Sequence, residues 1–347
     1  MIPIQNIYYM LSYAFQVLNE QGYKDIAVEE FDNVAELCAA ILSKGVSVQL
    51  KRGFARDYIE ETDSLSSLRG KINISDSIKT RSLLKRQLIC SYDNFSVNSY
   101  LNRIIKTTMS LLLCSNISKN RKKDLRKLMV FFSDVDCVDV HTINWNVQYN
   151  RNNQTYRMLI SICYLIIKGL LQTKSDGTIR LMDFLDEQRM CRLYEKFILE
   201  YYRKEFPQIS VSSSQIPWAI DDEMRDMLPI MQSDIMLAYK EKVLIIDAKY
   251  YSHTTQTQYD TRTLHSNNLY QIFTYVKNKD LELVTNPHIV SGLLLYAQTE
   301  EFVQPNQIYH MSGNKIGVQT LNLNCDFARI ATQLNTIAAD YLKIPFS

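Results

Sequence analysis

Residues 228–251, LPIMQSDIMLAYKEKVLIIDAKYY, hold two apolar runs separated by Lys240 and Glu241, the most polar pair between them. Runs this rich in Ile, Leu, Met, Val and Tyr belong in a buried sheet, and a short polar break between them lets antiparallel strands turn back on each other. Each run nevertheless carries a carboxylate, Asp234 and Asp247, and a lysine follows at 249. Pairing the strands about the 240–241 turn sets Asp234 opposite Asp247, with Cβ atoms roughly 4.5–5.5 Å apart. Lys249 shares their face because side chains alternate along a strand.

Two ionised carboxylates at ~5 Å repel by about 3 kcal/mol at an effective dielectric of ~20. A hard divalent cation such as Mg²⁺, taking one or two carboxylates plus waters and a substrate phosphate, resolves that repulsion. With Asp234 and Asp247 as metal ligands and Lys249 to orient water or stabilise the phosphate as charge builds, the natural chemistry is metal-assisted phosphodiester hydrolysis. A plainer reading competes: an Asp ending a buried strand also caps a helix or pairs with a lysine. Spacing alone leaves both open.

A chain of 347 residues at 46% hydrophobic has room for two or three domains with real cores. No apolar run reaches the ~20 residues of a membrane span, and the start lacks a signal-peptide pattern, so a cytoplasmic location without membrane contact is expected. The seven cysteines are scattered without a C-x-x-C pair and are expected to be reduced, mostly buried thiols. A net charge of +2 means that any nucleic-acid surface must come from local patches, such as Lys119–Lys127 or Lys79–Gln87. No G-x-x-x-x-G-K-[ST] or G-x-G-x-x-G string occurs, so no nucleotide is expected to bind this chain itself.

Residues 1–90 mix types, with an amphipathic start at 2–18, a helix at 33–46 and a strand-like stretch at 47–59. From about 97 to 171 three segments carry apolar residues at helical spacing, the pattern of an antiparallel bundle with an Asn-rich exposed tip at 144–153. The polar stretch QTKSDGT at 172–178 is the linker candidate, giving domains at 1–175 and 176–347. The second half runs helix, two strands, helix, strand, helix, which predicts helices covering a mixed central sheet.

The order acid, gap, acid-x-lysine resembles the PD-(D/E)xK nuclease superfamily, with Asp234, Asp247 and Lys249 on its motif positions. Pro229 stands five residues before Asp234 and not beside it. The resemblance implies two accessory positions. Glu195 lies on the preceding helix, where many members place a metal-linked glutamate. Gln271 and Tyr275, four apart on one helix face, are similar to the Q-x-x-x-Y element of RecB-type nucleases. A solvated glutamate and ordinary hydrogen bonding are the plain alternatives for these positions. His253 and His265 fall between the motif and that helix without metal-ligand spacing.

A wider resemblance spans nearly the whole chain. IPIQNIYYMLSYAF (2–15), KRGFARDY (51–58), LRGKI (68–72), LNRIIKTTM (101–109), VLIIDAKYY (243–251) and HSNNLYQIFTYV (265–276) are similar, in order, to successive blocks of the McrC family, the nuclease subunit of McrBC modification-dependent restriction systems. That implies an α+β N-terminal domain with an inserted helical bundle, followed by an α/β PD-(D/E)xK restriction-endonuclease-like domain. It further implies Mg²⁺, with Mn²⁺ as a substitute, double-stranded DNA carrying modified cytosine, and an AAA+ GTPase partner of McrB type. Dimerisation is compatible with it. In that family the N-terminal half engages and stimulates the GTPase, and the 144–153 tip is the candidate projection into its pore. Two rivals remain: a GTPase-activating scaffold with a dispensable nuclease site, and a stand-alone repair or resolvase-type nuclease.

Overall fold

In chain order the helices are α1 (Ile4–Ala14), α2 (Val34–Arg52), α3 (Ile74–Lys79), α4 (Tyr100–Cys114), α5 (Lys119–Met129), α6 (Tyr156–Asp176), α7 (Glu187–Glu205), α8 (Ser266–Glu282) and α9 (Phe327–Leu342). The strands are β1 (Asp57–Leu65), β2 (Lys71–Ile72), β3 (Leu88–Ser96), β4 (Ser210–Ser212), β5 (Gln215–Ile216), β6 (Met231–Gln232), β7 (Ile235–Tyr239), β8 (Lys242–Lys249), β9 (Thr255–Gln258), β10 (Thr261–Leu264), β11 (Ile289–Ala297), β12 (Gln307–Met311) and β13 (Asn314–Leu321). The computed structural model describes residues 2–344 apart from 16–17, 19–22, 24–25, 27–28, 30, 32, 150–154, 177–186, 223, 225, 252–254 and 259–260. The chain divides into two units, Met1–Glu30 with Leu185–Ser347, and Phe31–Phe184.

The first unit is built on a six-stranded mixed sheet in the order β12-β13-β11-β8-β7-β4. β8, β11 and β13 run parallel, and the remaining pairs are antiparallel. Both faces are covered, which is why Val243 to Ala248 form one unbroken buried run. α8 covers one face through Ile272 and Val276. It lies so close to β11 that a Cβ on Gly292 would come within 2.8 Å of each of those side chains. α7 and α9 cover the other face and are tied together by the Tyr202 hydroxyl donating to the Leu334 carbonyl at 2.8 Å.

α1 joins this layer. Tyr13 packs on Phe197 and Tyr201 of α7 and donates to Glu205 Oε1 at 2.8 Å, while Tyr9 stacks on Phe327 at 4.6 Å. Buried Asn6 donates to the carbonyls of Leu323 and Cys325. The sequence reading set 1–175 apart from 176–347; the structure instead groups the first thirty residues with the sheet. Aromatic contacts made between residues so far apart in the chain, Tyr13 with Phe197 and Tyr9 with Phe327, leave no local pattern to read.

In the second unit α2, α4, α5 and α6 bury Leu37, Ile41, Ile105, Leu112, Leu125 and Leu159. β1 and β3 form a long antiparallel pair from Asp57↔Ser96 to Leu65↔Leu88, with β2 on the far side of β3. Fully buried Asn102 of α4 holds the roots of that pair. Its Nδ2 donates to Ala55 O at 2.9 Å and Val97 O at 2.8 Å, and its Oδ1 accepts from the Tyr156 hydroxyl at 2.8 Å.

The stretch between β2 and β3 is folded inside out. Ser77 and Ser82 are buried, with Ser77 Oγ accepting from Ile89 N at 2.9 Å. Ile74, Ile78, Leu83 and Leu84 are 66%, 61%, 54% and 81% exposed. Arg81 and Arg86 bracket the turn at φ 54° and 56°, a region that side-chain-bearing residues enter at a cost.

Three expectations need correcting. The strand-like stretch at 47–59 is helical as far as Arg52, because Val46 and Gln49 are buried at helical spacing and packing overrides β-propensity. The linker expected at 172–178 is helix as far as Asp176, since Gln, Thr, Lys and Ser continue α6; residues 177 and 178 lie outside the described residues. Only Cys38, Cys90 and Cys163 are buried among the free thiols, with Cys114 and Cys137 exposed. Of the 144–153 tip, residues 150–153 lie outside the described residues. The preceding part is irregular, with Trp145 edge-on to Tyr164 at 4.9 Å. Among the described residues no helix is long and apolar enough to cross a membrane.

Candidate active site

β7 and β8 turn at Lys240 and Glu241, where Lys240 takes φ 53°, and pair from Tyr239↔Lys242 to Ile235↔Ile246. This is the register expected from the sequence. It leaves Asp234 one step beyond the last pair, level with Asp247. A polar break between β6 and β7 sets that step. Ser233 N donates to Ser214 O at 3.1 Å, and Ser213 Oγ donates to Ser233 O at 2.8 Å. The Asp234 carboxylate then accepts from the Ala248 amide at 3.0 Å, so a side chain caps the strand end.

Asp247 is fully buried on the α8 side of the sheet. Lys249 Nζ lies 2.9 Å from both of its oxygens, but only Oδ1 receives a directional hydrogen bond. Oδ2 is buried with no hydrogen-bond partner among the described residues. The same ammonium reaches Gln271 Oε1 at 3.3 Å, and Gln271 Nε2 donates to the Tyr275 hydroxyl at 2.9 Å. The i, i+4 spacing on α8 therefore serves to fix which end of the Gln271 amide faces the lysine. Glu195 comes from α7, where Cys191 Sγ donates to its Oε1 at 3.1 Å.

Burial disfavours charge here. It pushes the Asp247 carboxyl up to about 7, with the Lys249 charge opposing the shift and Asp234 adding to it. Asp234 is raised by burial, partly offset by Lys249 and the Ala248 amide. Glu195 is raised by burial and then by the charge of Asp234. For Lys249 burial acts downward, but the charge and hydrogen bond of Asp247 outweigh it and hold the ammonium protonated above the ordinary range. Burial, then Glu195, keeps the Cys191 thiol protonated by pushing it up to about 12.

A fully buried and a half-buried carboxylate, level with each other and both with raised pKa, fit a hard divalent ion that takes few protein ligands. Among the described residues no three His, Cys, Asp and Glu side chains are gathered as a metal-binding group. The structure thus brings Asp234, Asp247, Lys249, Gln271 and Tyr275 together, with Glu195 within electrostatic reach of Asp234. His265 precedes α8 with its ring edge-on to Tyr251 at 5.4 Å; His253 lies outside the described residues.

One group was not anticipated. Tyr251, Asn268 and Tyr296 form a hydrogen-bonded line beside Lys249. The available signals were a lone Tyr ending the apolar run IVSGLLLYA and an Asn inside the first turn of a helix, where Asn is a poor helix former.

The sequence matches the family described as McrBC 5-methylcytosine restriction system component over residues 5–297. The chain belongs to the McrBC family, on its McrC side. Among relatives of this McrC chain is the type IV methyl-directed restriction enzyme EcoKMcrBC of Escherichia coli K12, 29% identical over 350 residues, which span 99% of each sequence. Its fold is similar to a chain in the refined half-complex from a tetradecameric assembly of Thermococcus gammatolerans McrB AAA+ hexamers with bound McrC. That match has a TM-score of 0.50 and 17% identity over 96% of this chain and 76% of the other. The family match supports a restriction-system component and the structural match a shared mixed α/β fold.

Proposed function

We propose that this chain is the DNA-cleaving subunit of a GTP-dependent restriction complex that acts on DNA carrying modified cytosine, with a PD-(D/E)xK-type nuclease unit. The observation that carries the reading is the fully buried Asp247 carboxylate, level with a second carboxylate, Asp234, across the hairpin and with Lys249 Nζ 2.9 Å from both of its oxygens. Asp234 and Asp247 would hold Mg²⁺, or Mn²⁺ in its place, with Glu195 as an accessory group. Such an ion supplies charge neutralisation at the phosphate and a water of lowered pKa. The chain's own residues do the positioning. Ala248 N fixes Asp234, Asp247 and Gln271 aim the Lys249 ammonium, and Tyr275 orients the Gln271 amide. Held protonated, Lys249 is suited to stabilise negative charge as it builds on the phosphate.

The partner in this reading is an AAA+ GTPase of McrB type, supported by the McrB hexamers with bound McrC in the Thermococcus assembly. Contact with it is best placed on the inside-out stretch 74–87. Four exposed aliphatic side chains among Lys79, Arg81, Lys85 and Arg86 suit an apolar protein face rimmed by carboxylates. Two copies per complex are compatible with the reading.

The test is Asp247→Ala in the complex with its GTPase. Loss of methylated-DNA cleavage with GTPase stimulation retained is expected. Unaltered cleavage would overturn the nuclease reading in favour of a scaffold, and cleavage by the chain with Mg²⁺ alone would indicate a stand-alone nuclease.

A further inference from the structure

We propose that Asn268 and Tyr296 are positioning residues for Lys249, acting through α8 and Gln271. The proposal rests on the nuclease reading above. Gln271 reaches the lysine at 3.3 Å, near the long limit of a hydrogen bond, so a displacement of about 0.5 Å at that point of α8 breaks the contact. The helix is held on either side of Gln271. On its C-terminal side Ile272 and Val276 sit over Gly292, where the helix meets the strand backbone at closest approach. On its N-terminal side Asn268 Nδ2 donates to the Tyr296 hydroxyl at 2.9 Å, within the buried interior.

Tyr296 is the residue of β11 directly level with Lys249 of β8 in the parallel ladder. The anchor is therefore attached to the strand position beside the group it serves. Asn268 and Gln271 are one helical turn apart, roughly 4.5 Å along the axis, so the azimuth of the first fixes that of the second. The Tyr251 hydroxyl donates to Asn268 Oδ1 at 3.4 Å, which fixes the amide orientation so that its nitrogen faces Tyr296. Burial pushes the Tyr296 hydroxyl up to about 12, so it stays neutral and serves as the acceptor of this bond.

Tyr296→Phe removes one oxygen and keeps the ring. In the complex with its GTPase, cleavage of methylated DNA is expected to fall about tenfold in kcat with KM for DNA and GTPase stimulation unchanged. Gln271→Ala is expected to give a similar loss. The double variant should match either single variant, because both act on one contact. Multiplicative losses, or unchanged kcat in Tyr296→Phe, would overturn the proposal. Should Tyr296→Phe fail to fold, Asn268→Ser enters the same cycle with Gln271→Ala and is judged by the same outcomes. Asp247→Ala run alongside separates the two ideas: if it still cleaves, the nuclease reading fails, whereas a silent Tyr296→Phe with inactive Asp247→Ala rejects only the positioning.

Discussion

Divalent-metal binding to this chain should release a proton and weaken steeply as pH falls. Burial lifts the Asp247 carboxyl from 3.8 to about 7, and Asp234 is raised with it. A raised carboxyl means that the folded chain keeps a proton the unfolded chain has already lost. The metal-free site therefore favours folding most at or below pH 3.8 and progressively loses that contribution as pH rises toward 7. A metal ion held by the ionised pair, as proposed, would reverse the balance. With one proton displaced and an apparent value near 7, affinity should drop about 50-fold between pH 7 and pH 5, roughly 2.3 kcal/mol. Titration calorimetry of Mg²⁺ or Mn²⁺ into the full chain at pH 5, 6 and 7, in two buffers of different ionisation heat, reads both affinity and proton count. Affinity that is flat across this range, or binding without proton release, would refute the view that the buried pair is the metal site. Asp247→Asn should bind more weakly and lose most of the pH dependence.

Asn102→Ala removes three buried hydrogen bonds at the root of the β1–β3 pair and should cost about 2–4 kcal/mol in denaturant unfolding; an unshifted midpoint would contradict the hub role. Gly292→Ala inserts a methyl 2.8 Å from Ile272 and Val276, and about 1–3 kcal/mol of stability should be lost. Cleavage should fall with it as α8 is pushed from the sheet, and wild-type values for both would show that the helix has room to spare. Leu84→Glu, at an 81% exposed position, should leave the melting temperature unchanged while reducing GTPase stimulation; undiminished stimulation would remove the 74–87 stretch as the partner contact.

The hairpin bearing Asp234 and Asp247 was legible because it is local. Two continuous apolar runs and a polar two-residue break between them fix a register without reference to the rest of the chain. The same holds for α7, α8 and α9, whose apolar stripes recur at helical spacing. What the sequence did not disclose depends on contacts between distant residues. Asn6, Tyr9 and Tyr13 look like an amphipathic start of any domain until Leu323, Phe197 and Phe327 are beside them. Asn268 and Tyr296 likewise acquire meaning only through the parallel pairing of β11 with β8. The inside-out stretch was illegible for a different reason, since Leu83 and Leu84 carry the same letters as core residues. Only their exposure distinguishes them.

The grouping of Met1–Glu30 with Leu185–Ser347 also sets a schedule for synthesis. α1 leaves the ribosome well before the surface that shelters its apolar face, on α7 and α9. At 5–20 residues per second, translation from the end of α1 at Ala14 to the end of α9 at Leu342 leaves α1 waiting for roughly 16 to 66 seconds. Phe31–Phe184 can complete its own packing during that interval. The nascent chain thus passes through a stage in which a finished middle carries an unsheltered leading helix, and chaperone capture should be strongest there.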